Sequence, residues 1–168
     1  MFSRLSMLEE IAGRVESLVG RIIVAVDGVD GSGKTTFADE LAPLIERRGR
    51  QVVRASVDDF HNPRAVRYRR GKADPEGFFL DSYNYDSLCE YLIRPFQSGA
   101  AGADIARFNH RTDEELSITC EVNPSAVLLL DGIFLHRDEL RDLWDFSFFS
   151  RPIRGLIRPH VKKGWLRS

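Results

Sequence analysis

Gly28-Val29-Asp30-Gly31-Ser32-Gly33-Lys34-Thr35 is the stretch that decides the fold, because it matches the pattern G-x-x-x-x-G-K-[ST] without a gap. An apolar, β-branched run at residues 21–27 precedes it, and an amphipathic stretch at residues 35–48 follows it. Glycines let the backbone curl until successive N–H groups face one concavity, and the N-terminus of the following helix adds partial positive charge. The stretch therefore predicts a phosphate-binding loop between a buried strand and a helix. The alternative is a glycine-rich turn without a ligand.

The same loop is suited to ATP with Mg²⁺. We expect Lys34 to reach the β- and γ-phosphates and the Thr35 hydroxyl to ligate Mg²⁺. The apolar run at residues 127–130 ends in Asp131, and an acid at the C-terminal edge of such a strand supplies a second metal ligand. The residues expected to contact the nucleotide are Gly28, Asp30, Gly31, Ser32, Gly33, Lys34, Thr35 and Thr36.

The rest of the chain alternates between strand and helix patterns, which is typical of an α/β fold. Further strands are predicted at residues 51–57, 126–131 and 145–149, helices at 5–18, 35–48, 85–96 and 138–143, and a β-hairpin at 105–109 and 116–122. Residues 61–81 are polar and rich in Arg, Gly and Pro, so we expect a long loop with about one helical turn. The prediction is one domain over residues 1–168, with a three-layer P-loop NTPase fold, a central parallel sheet and an inserted β-hairpin.

Composition narrows the classes of partner. A formal net charge of −1 favours neither DNA nor an anionic membrane, and the basic residues form no patch interleaved with aromatic residues. The longest apolar runs are too short to span a bilayer, and no apolar signal region follows Met1. Cys89 and Cys120 have no metal spacing and are expected to be free thiols. We expect a cytoplasmic protein with a small-molecule substrate and no nucleic-acid or membrane partner; whether it forms a homo-oligomer stays open.

A phosphate-binding loop does not by itself distinguish a kinase from a GTPase. Residues 74–77 read D-P-E-G and mimic the D-x-x-G switch of GTPases, but no apolar strand precedes them and no N-K-x-D stretch is present to read guanine. The strand at residues 51–57 is followed by Asp58 and Asp59. A carboxylate there faces the γ-phosphate in an open α/β sheet, so Asp58 is a candidate base for an attacking hydroxyl, with Lys34 offsetting charge on the phosphoryl group. The alternative is an N-cap for the next segment.

Four separated segments of the sequence resemble the uridine kinase family, to which phosphoribulokinase and bacterial pantothenate kinase are related. They are the phosphate-binding loop and residues 58–61, 81–86 and 127–135, within a similar region that runs from about residue 20 to residue 149. The resemblance implies ATP-dependent transfer of the γ-phosphoryl group to a hydroxyl of a small metabolite, usually a nucleoside 5′-hydroxyl, with Asp58 as the catalytic base. A kinase for another metabolite, such as pantothenate or a sugar phosphate, is the alternative within the family.

The resemblance also implies which residues hold the acceptor. Asp59 occupies the position next to the base, and Asp81 corresponds, within one residue, to an acid that holds ribose hydroxyls. Phe108 and His110 are the nearest matches to an aromatic residue and a histidine that hold the base in the family's hairpin, and Arg111 adjoins them. The alternatives are core packing for Phe108, an exposed turn position for His110 and a helix cap for Asp81.

A basic cluster in the predicted loop has two interpretations. It consists of Arg64, Arg67, Arg69, Arg70 and Lys72, with Tyr68 among them. A solvated loop explains it, and so does a docking site for a phosphorylated substrate, which would favour a sugar-phosphate kinase.

After Phe149 the resemblance ends. The family continues with a completed strand, a helix with paired arginines and a mobile lid, whereas residues 150–168 carry prolines and a glycine that interrupt any helix. This tail is either a shortened end, in which Arg151, Arg154 or Arg158 replaces the lid arginines, or the result of a truncation or a changed reading frame. Loss of a lid would lower the rate by orders of magnitude, so the rival prediction is a nucleotide-binding protein with impaired catalysis.

Overall fold

A computed structural model of the chain describes residues 3–151 and the strand at 157–161. The described chain divides into two compact units, which we call the sheet unit (the described residues of 1–54 and 123–168) and the hairpin unit (residues 55–122). In the part of the chain that is described, no helix is long and apolar enough to cross a membrane.

Thirteen labelled elements follow one another along the described chain. They are α1 (Arg4–Glu16), β1 (Ile22–Gly28), α2 (Lys34–Glu46), β2 (Val52–Ser56), α3 (Arg64–Arg67), α4 (Pro75–Asp81), α5 (Tyr85–Leu88), α6 (Arg94–Ser98), β3 (Gly102–Asn109), β4 (Glu114–Glu121), β5 (Val127–Gly132), β6 (Phe146–Ser150) and β7 (Ile157–Val161). Short 3₁₀ helices lie at Val57–Phe60 and Arg141–Leu143, and a π-helical segment at Cys89–Ile93 joins α5 to α6.

The central sheet has five strands in the order β2-β5-β1-β6-β7. β1 pairs in parallel with β5 and with β6, while β7 runs antiparallel to β6. Every residue of β1 and β5 is buried, as expected of parallel strands that are covered on both faces. The predicted α/β fold with a central parallel sheet is confirmed, and each predicted strand of this sheet differs from the observed one by a single residue at either end.

The core of the sheet unit lies between the sheet and its first two helices. Ser3 caps the N-terminus of α1, because its hydroxyl accepts a hydrogen bond from the Ser6 N–H. Its apolar stripe packs with that of α2 against one face of β1, β5 and β6, and the two stripes include Leu8, Val15, Phe37 and Leu41. Both predicted helices are confirmed.

The hairpin unit contains the predicted β-hairpin and the predicted helix at residues 85–96. β3 and β4 pair antiparallel, and the helical run extends to Ser98 before Gly99 adopts a φ of +82°. The π-helical segment precedes Pro95, which lacks the N–H that an α-helical turn would use. Phe60, Leu88 and Phe96 are fully buried in this unit.

Two secondary-structure predictions are wrong. Residues 61–81 are not a loop with about one turn, because they contain α3 and α4. Asp74 caps the N-terminus of α4, because its carboxylate accepts from the Gly77 N–H at 2.6 Å, and Pro75 occupies the first turn, where a missing N–H costs nothing. The D-P-E-G sequence is therefore a helix start. Of the helix predicted at residues 138–143, only Arg141–Leu143 form a 3₁₀ turn, and Leu140 is the only buried residue of the six.

The tail after Phe149 contains the strand β7, which is not predicted from the sequence. β7 includes Pro159, and β7 is the last strand in the sheet order, where a residue without an N–H is tolerated. Of the arginines suggested as lid substitutes, Arg151 is exposed, Arg154 lies outside the described residues, and only the backbone of Arg158 is described.

Candidate active site

The phosphate-binding loop connects the end of β1 to the start of α2. Gly31 and Gly33 have φ values of +75° and +79°, the left-handed region that favours glycine. At Gly28 a Cβ atom would lie 2.4 Å from Ser32 Oγ and 2.7 Å from the Ser150 carbonyl oxygen. The loop therefore requires glycine at Gly28 for space and at the other two positions for backbone conformation.

The loop fits a phosphate group chemically as well. Ser32 Oγ is buried and has no hydrogen-bond partner among the described residues. Among the residues that the structure describes, the contacts of Lys34 Nζ are long, 3.4 Å to the Val29 carbonyl oxygen and 3.5 Å to Asp30 Oδ1. A buried hydroxyl and an ammonium without close partners suit the oxygens of a polyphosphate.

Thr35 and Asp131 meet behind this loop. The Thr35 hydroxyl donates to Asp131 Oδ2 at 2.7 Å, and the Asp131 side chain is 4% exposed at the end of β5. Hydroxyl and carboxylate oxygens are ligands that Mg²⁺ prefers, together with substrate phosphates. No cluster of three or more His, Cys, Asp or Glu side chains among the described residues could hold a metal ion. The pair thus fits a Mg²⁺ ion that is held jointly by protein and nucleotide.

Arg54 also contacts Asp131, although the sequence pattern does not select it. Its Nη1 donates to Asp131 Oδ1 at 3.0 Å and to the Leu129 carbonyl oxygen at 2.9 Å, and its Nη2 donates to Asp39 Oδ1 at 2.9 Å. A charged residue inside the otherwise apolar stretch of β2 is the signal in the sequence that could have identified it.

A second hydrogen-bonded chain lies at the base of the loop. Asp27 accepts at Oδ1 from the Gly28 N–H (2.7 Å) and at Oδ2 from the His136 N–H (2.9 Å), while His136 Nδ1 lies 2.8 Å from the same Oδ2. His136 Nε2 in turn lies 2.8 Å from Ser147 Oγ. The chain fixes the point at which β1 enters the loop. The rule that selects Asp131, an acid at the end of an apolar strand, applies equally to Asp27.

Asp58 lies in the hairpin unit, in the 3₁₀ helix that follows β2. Its carboxylate is exposed, and the Tyr83 hydroxyl donates to Asp58 Oδ1 at 3.2 Å. The cap of this helix is Ser56, whose hydroxyl accepts from the Asp58 N–H, so the capping alternative for Asp58 is wrong. The neighbouring Asp59 is half-buried. The Asp58 carboxylate is thus exposed and is oriented by the buried Tyr83.

Three rings stack close to Asp58. The His61 ring lies 4.6 Å from that of Tyr83 and 4.5 Å from that of His110, between ring centroids. His61 Nδ1 lies 2.6 Å from the Asp58 carbonyl oxygen. Burial lowers the pKa of His61 below its ordinary value, so this ring is neutral near pH 7. His110, which is predicted to contact the acceptor substrate, is partly buried in this stack rather than fully exposed in a turn.

A cavity of about 400 Å³ opens beside this stack within the hairpin unit. The buried rings of Phe60 and Phe108 line it, as does His61. Its other lining residues are Pro63, Asn84, Asp86, Ser87, Glu90, Tyr91, Arg107 and Glu115. Phe108, which is predicted to contact the acceptor substrate, is therefore both part of the core and part of the cavity wall. Neither His110 nor Arg111 is in the cavity wall, and Arg111 is exposed in the hairpin turn.

The Asp81 carboxylate forms ion pairs with two arginines of the basic cluster. Arg69 forms a two-contact ion pair with this carboxylate, and Arg70 Nε donates to Asp81 Oδ2 at 3.2 Å. The Arg69 hydrogen bond lowers the pKa of Asp81 below its ordinary value. Asp81 ends α4, and Asn84 caps the next helix, so the capping alternative for Asp81 is wrong. Its role toward a substrate stays a prediction, since a hydroxyl would have to share this carboxylate with two guanidinium groups.

The remaining members of the basic cluster are engaged too. The Arg64 N–H donates to Asp113 Oδ1 at 2.8 Å, and Arg64 Nη2 donates to the Arg111 carbonyl oxygen at 2.8 Å. Arg67 contacts the same turn through Asp113, and the Lys72 ammonium lies over the Tyr68 ring. The solvated-loop interpretation is incomplete, because these side chains hold the cluster against the hairpin turn and α4.

Comparison with known proteins places these residues in a family context. The sequence pattern of the phosphoribulokinase / uridine kinase family matches residues 23–156, past Phe149. Uridine kinase of Leuconostoc citreum is 25% identical over 130 residues, which cover 76% of this chain and 60% of that protein. Uridine-cytidine kinase B of Dictyostelium discoideum is 25% identical over 149 residues, which cover 84% of this chain and 60% of that protein.

A solved structure supports the same relationship. The protein from Bacillus stearothermophilus described as "a Possible Uridine Kinase" superposes with a TM-score of 0.75 at 25% identity, covering 88% of this chain and 81% of that one. The chain spans 60% of the length of the two uridine kinase relatives above. Since the family pattern covers most of the residues and the fold agrees, the chain belongs to the phosphoribulokinase / uridine kinase family.

Proposed function

We propose that this chain is an ATP-dependent kinase that transfers the γ-phosphoryl group to the 5′-hydroxyl of a nucleoside. The observation that carries the proposal is the cavity in the hairpin unit, whose wall includes Phe60 and His61, close in sequence to the exposed carboxylate of Asp58. A cavity with aromatic walls suits a planar base, and a nearby carboxylate suits a reacting hydroxyl.

The nucleotide would be held by the sheet unit. Lys34 and the amides of residues 28–36 bind the phosphates, and Ser32 Oγ supplies a further hydrogen bond. Thr35 and Asp131 would hold Mg²⁺, which when bound offsets negative charge on the phosphate oxygens. Because the Lys34 ammonium would bind the phosphate oxygens directly, loss of Lys34 should weaken binding of ATP itself.

Asp58 would act on the acceptor. Its carboxylate takes the proton of the attacking hydroxyl as the new oxygen–phosphorus bond forms, and the bond from the γ-phosphorus to the bridging oxygen breaks, leaving ADP. The Tyr83 hydroxyl fixes the orientation of the carboxylate. The products are ADP, the phosphorylated acceptor and a proton held by Asp58.

Charge at the cavity favours a neutral acceptor over pantothenate or a sugar phosphate. Asp86, Glu90 and Glu115 are exposed carboxylates in its wall. Arg107 is the one arginine among the described residues of the wall. It is paired with Asp104 at 2.9 Å, and its guanidinium lies 4.0 Å from the centre of the Tyr91 ring. His61 adds no charge near pH 7, because burial lowers its pKa. An anionic acceptor would therefore meet net repulsion.

The direct test is detection of phosphorylated product. The chain is incubated with Mg²⁺, ATP and uridine, cytidine, pantothenate or ribulose 5-phosphate, and Asp58→Asn is compared with Asp138→Asn, a matched change at an exposed surface acid. We expect product from a nucleoside, its loss in Asp58→Asn, and unchanged turnover in Asp138→Asn. Full turnover by Asp58→Asn would refute its role as the base.

Binding of ATP is measured in parallel by calorimetry. Lys34→Ala should weaken ATP affinity by about 10–100-fold, the value of one hydrogen bond to a charged group. Binding that depends on Lys34, without product from any acceptor, would support a nucleotide-binding protein that does not transfer phosphate. Product from pantothenate or ribulose 5-phosphate alone would replace the nucleoside by that acceptor.

A further inference from the structure

The Arg54 guanidinium contacts two carboxylates of the sheet unit. Nη1 donates to Asp131 Oδ1 at 3.0 Å, while Nη2 and Nε donate to Asp39 Oδ1 at 2.9 and 3.3 Å. Asp39 lies on α2 and is mostly exposed, whereas Asp131 is buried at the end of β5. One cation thus connects the helix that follows the phosphate loop to the acid that faces the loop.

The two oxygens of Asp131 have different partners. Oδ1 accepts from Arg54, and Oδ2 accepts from the Thr35 hydroxyl at 2.7 Å. A carboxylate with one oxygen held by a guanidinium cannot rotate freely, so its other oxygen stays directed at Thr35. Partners of this kind, behind the ligand atoms, fix the direction in which a ligand presents its lone pairs.

We propose that Arg54 is a positioning residue for Asp131, and that the gain in ATP affinity on addition of Mg²⁺ depends on it. The inference rests on the proposed binding of ATP with Mg²⁺ at Thr35 and Asp131. Arg54 touches neither nucleotide nor metal in this scheme. It acts by holding Asp131 Oδ1, which leaves Oδ2 and the Thr35 hydroxyl as the paired oxygens.

Two physical effects of Arg54 oppose each other. The positive charge of Arg54 offsets the negative charge of Asp131 and so weakens the attraction of Asp131 for a metal cation. The fixed position of Arg54, in contrast, aligns Asp131 Oδ2 for metal binding. Removal of partners behind metal ligands typically lowers metal affinity by about 10–100-fold, so the geometric effect is the larger. Loss of Arg54 should therefore reduce the Mg²⁺-dependent gain rather than increase it.

The contacts of Arg54 allow this role to be separated from general packing. Its bonds to Asp39 and to the Leu129 carbonyl oxygen connect β2, α2 and β5 without involving the Asp131 side chain. We expect Asp39→Asn to weaken the contact between Arg54 and Asp39 and to keep the contact between Arg54 and Asp131. It is therefore the matched control for Arg54→Gln.

The experiment compares ATP affinity with Mg²⁺ and with EDTA, by calorimetry on the full chain without acceptor. For Arg54→Gln we expect the ratio of the two affinities to fall by about tenfold or more, with the EDTA value unchanged. Asp39→Asn should keep the wild-type ratio. A purely structural role would lower both affinities together, and this outcome overturns the proposal, as does a ratio in Arg54→Gln equal to or above that of the wild type.

A folding defect would not hide the answer. If thermal unfolding shows that Arg54→Gln is not folded, Arg54→Lys replaces it, because lysine keeps the charge but lacks the planar fork that spans Asp39 and Asp131. The same fall in the ratio is expected, and a wild-type ratio overturns the proposal. If the wild-type chain binds no ATP, the proposed function fails and this inference with it. Bound ATP with an unchanged ratio in the variants overturns this inference alone.

Discussion

The Tyr83 hydroxyl donates a hydrogen bond to Asp58 Oδ1 over 3.2 Å. Tyr83 is buried, and its ring stacks against His61 at 4.6 Å, so the hydroxyl is held by packing rather than by solvent. Asp58 itself is exposed at the start of a short 3₁₀ helix. An exposed carboxylate is mobile unless a rigid group orients it, and Tyr83 is such a group.

Tyr83→Phe should therefore lower kcat by about tenfold while leaving the KM for ATP unchanged. The change removes one hydrogen bond to a charged group and keeps the ring. Steady-state kinetics with the accepted nucleoside measures both constants. Tyr68→Phe, at an exposed ring in the same unit, is the control with no expected effect. An unchanged kcat in Tyr83→Phe would remove Tyr83 from the proposed site.

The local parts of the site are predictable from the sequence. The geometry of residues 28–35 depends on backbone freedom at glycines and on a helix start, and both are encoded by neighbouring residues. Asp131 is predictable for the same reason, as the acid that ends an apolar strand. These residues lie where the sequence indicates, with Thr35 on Asp131 at 2.7 Å.

Contacts that cross the fold are not predictable in this way. Arg54 meets Asp131 because β2 lies next to β5, although about 75 residues separate the two strands in sequence. Asp81 meets Arg69 because α4 folds back on the preceding turn, in a region predicted to be a loop. In both cases, sheet order or helix packing determines the partner, and residue spacing carries no signal for it.

Gly28→Ala should destabilise the chain and abolish ATP binding. The added Cβ would lie 2.4 Å from Ser32 Oγ and 2.7 Å from the Ser150 carbonyl oxygen, so the loop must shift. Such overpacking costs about 1–3 kcal/mol of the free energy of unfolding. Gly13→Ala is the matched control, because nothing lies within 4 Å of its Cβ position in α1. It should instead stabilise the chain by about 0.5–1 kcal/mol. Urea unfolding measures the free energy of unfolding of both variants, which should fall for Gly28→Ala and rise for Gly13→Ala.

Asp81→Asn should lower stability at neutral pH, and the difference from wild type should shrink in acid. Arg69 holds the pKa of Asp81 below its unfolded value of about 3.9, so the ion pair stabilises the native state above that pH. The stabilisation by the ion pair disappears as the pH falls through the lowered, folded-state pKa of Asp81. The wild-type carboxylate is then protonated and, like the asparagine of the variant, carries no charge.

Urea midpoints of wild type and Asp81→Asn at pH 7 and pH 3 measure this effect, because other carboxylates cancel in the difference. Glu76→Gln is the control: Glu76 is an exposed partner of Arg70, and its loss should have little effect at either pH. A difference between wild type and Asp81→Asn that grows toward pH 3 would mean that Asp81 is not stabilised by its charge.

Glu115→Lys should relax the proposed rejection of anionic acceptors. Glu115 lies in the cavity wall and is exposed, so reversal of its charge changes the local potential without disturbing the core. We expect kcat/KM for pantothenate or ribulose 5-phosphate to rise by about fivefold relative to a nucleoside at low salt, and this gain to diminish at high salt. Glu114→Lys is the matched control, because neighbouring strand residues point to opposite faces and Glu114 is not in the wall. Equal effects of the two substitutions would show that overall charge, rather than the cavity, selects the acceptor.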